Sequence, residues 1–114
     1  MHAATDRNKH PLPVVTASTD GDIYVTAGTK DLQAPDGARM MIVECLAGTS
    51  HIKKGNSGDL PAPWPPAADV TDGSAPWYEL ANGGVNQVRE VAVSQGDAFR
   101  LVVGADSVVQ VFWY

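Results

Sequence analysis

Residues 98–114 read Ala98-Phe99-Arg100-Leu101-Val102-Val103-Gly104-Ala105-Asp106-Ser107-Val108-Val109-Gln110-Val111-Phe112-Trp113-Tyr114. Two short runs of β-branched and aromatic side chains flank a Gly-Ala-Asp break. Neither run carries apolar residues at the i, i+3, i+4, i+7 spacing of a helix, so the stretch predicts two strands joined by a turn. Upstream, Ser94-Gln95-Gly96-Asp97 reads as a hairpin-like turn. Before it, residues 85–93 read as a strand in which Val85, Val91 and Val93 partly alternate with polar neighbours, while Val88 breaks the period of two. Trp77-Tyr78-Glu79-Leu80 predicts a further strand, ended by Asn82-Gly83-Gly84.

The first half has the same character. Val14-Val15-Thr16-Ala17 is a short β-rich run, Asp20-Gly21 a turn signal, and Asp22-Ile23-Tyr24-Val25-Thr26 a strand that Ala27-Gly28-Thr29-Lys30 interrupts. Leu32 falls in a short connection closed by Ala34-Pro35-Asp36-Gly37. Residues 39–46 contain Met40-Met41-Ile42-Val43-Glu44-Cys45-Leu46, a length that suits a central strand. Ser50-His51-Ile52-Lys53 reads as its hairpin partner or its continuation past a bulge. Short strands divided by Gly and Asp turns predict an all-β fold, an antiparallel β-sandwich or small barrel of jelly-roll-like kind.

Two segments stand apart. Residues 1–12 are polar, of mixed charge, and carry Arg7 and Lys9; they read as an N-terminal arm, either a leader or an arm that orders on a neighbouring subunit. Residues 13–114 then form one β-domain, interrupted at about residues 55–76 by a loop whose Leu60-Pro61-Ala62-Pro63-Trp64-Pro65-Pro66 portion is extended and stiff. A connection of that length in a small domain is expected to be functional or a contact surface.

Composition narrows the function. The chain has 114 residues, enough for one core. Its net charge is -5, from 8 Lys and Arg against 13 Asp and Glu, and the nearest approach to a basic patch is Lys53-Lys54, read as a solvated loop. An acidic domain repels phosphate backbones, so no nucleic-acid partner is expected. No apolar segment is long enough for a membrane-spanning helix, and the N-terminus lacks the apolar core of a signal peptide, so folding in a cytoplasm is expected. A single cysteine, Cys45, permits no intrachain disulfide and reads as a small buried residue.

Catalytic and metal patterns are missing. Of the three histidines, His2 and His10 lie in the arm and His51 on a predicted strand, where a surface position is expected. No spaced Cys or His set suggests zinc. Asp20-Gly21-Asp22 and Asp69-Val70-Thr71-Asp72-Gly73 supply oxygens without the length of a calcium loop, and read as turn caps. Glu44, Glu79 and Glu90 are scattered over separate strands, with no pair brought together as glycoside hydrolysis requires. The expectation is a non-enzymatic protein without cofactor. Trp64, with Pro65 and Pro66, is the expected anchor for a protein partner, together with Arg7 and Lys9 of the arm.

The layout resembles small β-structured virion proteins of tailed bacteriophages, of the head-decoration, cement, head-fibre or tail-attachment kind. Three features carry the resemblance. Val25-Thr26-Ala27-Gly28 and Ala34-Pro35-Asp36-Gly37-Ala38 lead into the strand from Met40 to Leu46; Asp69-Val70-Thr71-Asp72-Gly73-Ser74 precedes the aromatic strand at Trp77-Tyr78; and the closing strand ends in Phe112-Trp113-Tyr114. The resemblance implies a virion location after synthesis in a host bacterial cytoplasm, a homo-oligomer that is commonly a trimer, and capsid or tail subunits as partners. It carries no catalytic residue over. The alternative expectation is a carbohydrate-binding module that presents two or three aromatic faces on one platform; a small hydrolase ranks behind both.

Overall fold

The computed structural model describes residues 21–60, 63–72 and 77–114. The arm with Arg7 and Lys9, His2 and His10, the run Val14-Val15-Thr16-Ala17, Asp20, Pro61, Ala62 and residues 73–76 lie outside the described residues. Eight strands make up the rest: β1 (Gly21–Tyr24), β2 (Gly28–Gln33), β3 (Met40–Ala47), β4 (Thr49–Lys54), β5 (Tyr78–Ala81), β6 (Val88–Ala92), β7 (Ala98–Val103) and β8 (Val108–Trp113). There is no helix among the described residues.

The strands form two four-stranded antiparallel sheets, ordered β1-β8-β3-β6 (sheet one) and β2-β7-β4-β5 (sheet two). The first strand pairs with the eighth, the second with the seventh, the third with the sixth and the fourth with the fifth. The chain is therefore one long hairpin with β4 and β5 at its tip, rolled so that successive rungs alternate between sheets. This is the jelly-roll order. The predicted antiparallel sandwich is what forms. The barrel alternative is not realised, because the sheets do not close and β1, β6, β2 and β5 remain edges.

Period two places the core. In β7 and β8 every second residue is buried, and Leu101, Val109 and Val111 have no measurable exposure. They meet Met41, Val43 and Cys45 of β3, Ile52 of β4 and Leu80 of β5, all equally closed to water or nearly so. Burying a side chain of this size contributes about 1.5–3 kcal/mol. β3 is central as predicted, flanked by β8 and β6.

Three readings change. β2 replaces the predicted break and connection at residues 27–32. Its only core side chain is Leu32, and the polar Thr29, Lys30 and Asp31 give no hydrophobic signal. It is an edge strand held by its ladder to β7, from Gly28 opposite Val103 to Gln33 opposite Ala98. Gly21 lies in β1, and β1 stops at Tyr24 before Val25 and Thr26. The turns at residues 94–97 and 104–106 are turns, as predicted, but neither makes a hairpin, since each joins strands of different sheets. Turn chemistry fixes a reversal of the chain and says nothing about which sheet receives the next strand.

The crossover from β3 to β4 is the tightest of these passages. β3 loses register with β8 between Cys45 and Ala47, which leaves Leu46 as the extra residue of a bulge. Gly48 then turns with φ 69°, and a Cβ there would stand 3.0 Å from the Ser107 Cα. So Ser50-His51-Ile52-Lys53 does continue β3 past a bulge, but on the opposite sheet. A buried knot fixes this corner to the β7–β8 turn. The Ser50 and Ser107 hydroxyls lie 2.6 Å apart, Ser107 donates to the Ala47 carbonyl at 2.9 Å, and the Gly104 N–H donates to Ser50 Oγ at 3.1 Å. Cys45 is fully buried beside it, its thiol donating to the Ala47 carbonyl at 3.2 Å.

Candidate functional site

Alternation on β4, β5 and β7 sends one set of side chains to the outer face of sheet two. The register places Asp31, Arg100 and Lys53 in one row and Thr29, Val102, His51 and Glu79 in the next. The long loop crosses this face. Arg100 donates to Asp31 Oδ1 and to the Gly58 carbonyl, each at 2.9 Å, which ties the start of the loop to β7 and β2. Lys53 lies with its ammonium 5.5 Å from the ring centre of Trp77. It is a strand residue with only 6% exposure, so the solvated-loop reading of Lys53-Lys54 is corrected for Lys53. The hydrocarbon stem packs while the charge meets an aromatic face.

Trp64 is half-buried on the same face. Its ring meets the His51 imidazole edge to face with centroids 4.8 Å apart, and its indole N–H donates to Glu79 Oε2 at 3.3 Å. Pro65 next to it is exposed and Pro66 half-buried. The structure thus brings together three residues that the sequence left apart. His51 is on a strand as predicted, but Trp64 covers it, and its side chain is only 12% exposed. Its Nε2 lies 3.9 Å from Glu79 Oε2 and has no hydrogen-bond partner. Burial lowers the His51 pKa from its ordinary value, and the Glu79 charge opposes that shift.

A histidine beside a carboxylate is half of an acid–base site. A reaction also needs a nucleophile or substrate space within reach. Two hollows bounded by described residues do not include His51. One, of about 580 Å³, is bounded by residues 58–60 and 69–72, with Asp59, Asp69 and Asp72 around it. No group of three His, Cys, Asp or Glu among the described residues stands close enough to hold a metal ion. The other, a groove of about 320 Å³, opens where the β5 and β6 edges part. Its floor is Met41, Ile52 and Phe99, which core packing already closes to water.

The carbohydrate alternative asks for exposed aromatic faces side by side. Trp77 and Trp113 are buried, and Trp64 spends its edge on His51 and Glu79. Tyr78 is exposed, but the Arg89 guanidinium lies over its ring, 5.0 Å from the centroid.

The outer face of sheet one is a second feature, and none of its residues was expected from the sequence to contact a partner. The register lays out Ile23, Gln110, Glu44 and Val88 in one row, and Phe112, Ile42 and Glu90 in the next, with Met40 and Ala92 beyond. Ile23 is 57% exposed and Val88 42%, and Leu46 and Val25 are exposed near the same end. Apart from Gln110, Glu44 and Glu90, the face is apolar. The signal for it was present. The runs 40–46 and 108–113 are apolar at both phases of the strand period, the mark of strands covered on both faces. One phase fills the sandwich core. Among the described residues, nothing covers the other.

Comparison with protein-family models, with curated proteins and with solved structures finds no match to this chain.

Proposed function

We propose that this is a non-enzymatic structural protein of a tailed-phage virion. It decorates or stabilises the particle as a homo-oligomer, preferentially a trimer, and meets its neighbours through the outer face of sheet one. The observation that carries this reading is the apolar character of that face. An unpartnered apolar patch marks an interaction surface, and Met40, Ile42, Phe112 and Ala92 adjoin one another here, with Gln110 and Glu44 in the middle of the next row. The preference for a trimer comes from the sequence resemblance, since the proteins resembled are commonly trimeric. The virion setting follows from the sequence resemblance. The jelly roll is used by viral capsid and lectin domains alike, so the fold alone does not choose between them.

The test is native mass spectrometry with light scattering at micromolar concentration. A trimer is expected for the wild-type chain. Ile42→Glu and Phe112→Glu are expected to give folded monomers with a native circular-dichroism spectrum and a lower denaturant midpoint that no longer depends on protein concentration. A strictly monomeric wild type overturns the assembly reading. Co-sedimentation with purified phage particles tests the setting separately, and a chain that assembles but never accompanies particles overturns that part alone.

A further inference from the structure

We propose that Trp64 is held on sheet two by an acid-sensitive clamp, in which protonation of His51 loosens the indole from Glu79 and releases Trp64 from the sheet. The proposal concerns the opposite sheet from the assembly face and does not depend on it.

Glu79 is the shared neighbour of His51 and Trp64. His51 on β4 stands directly opposite Glu79 on β5. Glu79 Oε2 accepts the Trp64 indole N–H at 3.3 Å, and the same oxygen is the ion-pair neighbour of His51 Nε2 at 3.9 Å, too far for a hydrogen bond. A neutral imidazole can leave Nε2 as an unmet acceptor, which costs less than a buried charge, and keep its edge-to-face contact with the indole. An imidazolium has two N–H donors, and one of them, on a nitrogen closed to water, then lacks an acceptor. Meeting that donor requires the carboxylate or the ring to move from the arrangement that holds the indole at 3.3 Å, whereas leaving both in place keeps a charged donor buried without a partner.

The remaining charges do not relieve this. Lys53 on β4 and Arg100 on β7 share the face and repel an imidazolium. Asp31 on β2 is committed to Arg100 by two hydrogen bonds, and Asp59 in the loop acts on the same guanidinium. Among the described residues, Glu79 is the acid directly across the ladder from His51. The lowered His51 pKa has the same sense. The closed arrangement binds a proton less readily than the open one, so acid favours opening, beginning below about pH 6.5, where a free imidazole takes up its proton.

The test is ¹⁹F NMR of the full chain labelled with 5-fluorotryptophan, titrated from pH 8 to pH 5. The Trp64 signal is assigned by its loss in Trp64→Phe. In the wild type, the Trp64 signal is expected to move toward the position of a solvent-exposed tryptophan with a midpoint below 6.5, while the Trp113 signal stays fixed and reports an intact core. In His51→Gln and in His51→Phe, Trp64 is expected to show no transition in this range. Persistence of the transition in both variants overturns the proposal. So does a wild-type Trp64 signal that does not move, or one that shifts away from the exposed position.

Discussion

Removing the Ser107 hydroxyl tests whether the two sheets are tied at their corner as described. Ser107→Ala deletes the hydrogen bonds at 2.6 Å to Ser50 Oγ and at 2.9 Å to the Ala47 carbonyl, and a weaker one at 3.8 Å with the Cys45 thiol, in a site with 1% exposure. A buried hydrogen bond contributes about 0.5–1.5 kcal/mol net, and a buried group left without its partner costs more. The stranded groups here are partly rescued. Ala47 O keeps the Cys45 thiol and Ser50 Oγ keeps the Gly104 N–H. The loss for Ser107→Ala is therefore about 2–3 kcal/mol. Ser50→Ala loses the shared bond and strips the Gly104 N–H of its acceptor, for about 2 kcal/mol. The double variant counts the shared bond once, so it should be milder than the sum by about 1 kcal/mol. Urea unfolding followed by tryptophan fluorescence, with equal m-values for all four proteins, measures the cycle. Strict additivity, or a Ser107→Ala cost below about 0.5 kcal/mol, would show that the two hydroxyls do not act as one unit.

Other outcomes follow from the same coordinates. In Gly104→Ala the new Cβ would fall 2.1 Å from the Thr49 carbonyl oxygen, so the crossover must move, and a loss of more than about 3 kcal/mol is expected by chemical denaturation. Gly96→Ala meets nothing within 4 Å and carries only the strain of φ 84°, about 1 kcal/mol, so the ratio of the two separates packing from backbone strain. Leu101→Ala, at a fully buried position, should cost about 2–5 kcal/mol, while its neighbour Val102→Ala on the outer face of sheet two should cost less than half as much; equal losses would contradict the assigned strand phase. Because the folded pKa of His51 lies below the unfolded one, the unfolded chain binds more protons in that window. Stability should therefore decline as pH falls through about 6.5, and His51→Gln should flatten that part of the thermal-melt profile.

The fold was legible where side chains alternate strongly. β7, β8 and the central β3 could be read from Leu101, Val103, Val109, Val111 and the Met40 to Leu46 run. β2 could not, since an edge strand needs only backbone partners and supplied one core residue, Leu32. The rolled topology was legible only in outline. Gly96 and Asp106 announce reversals, but the choice between sheets is made by long-range pairing that no local signal encodes. The contacts on sheet two were hidden for a related reason. Trp64, His51 and Glu79 are far apart along the chain, and only the pairing of β4 with β5 and the return of the loop bring them together. The face around Ile42 and Phe112 was written in the sequence as missing alternation.

The pairing of first strand with last has a consequence for synthesis. β8 sits between β1 and β3 in sheet one, and β7 sits between β2 and β4 in sheet two. While the chain is being made, β1, β2 and β3 therefore emerge from the ribosome before either of the strands that will join them. The β4–β5 pair at the hairpin tip, and then β3 with β6, can zip up before either arrives. A nascent chain of this kind spends most of its elongation with apolar strand edges unmatched, the condition in which aggregation competes with folding. Codon choice, chaperone supply and expression temperature should therefore govern the yield of this protein more than its final stability does.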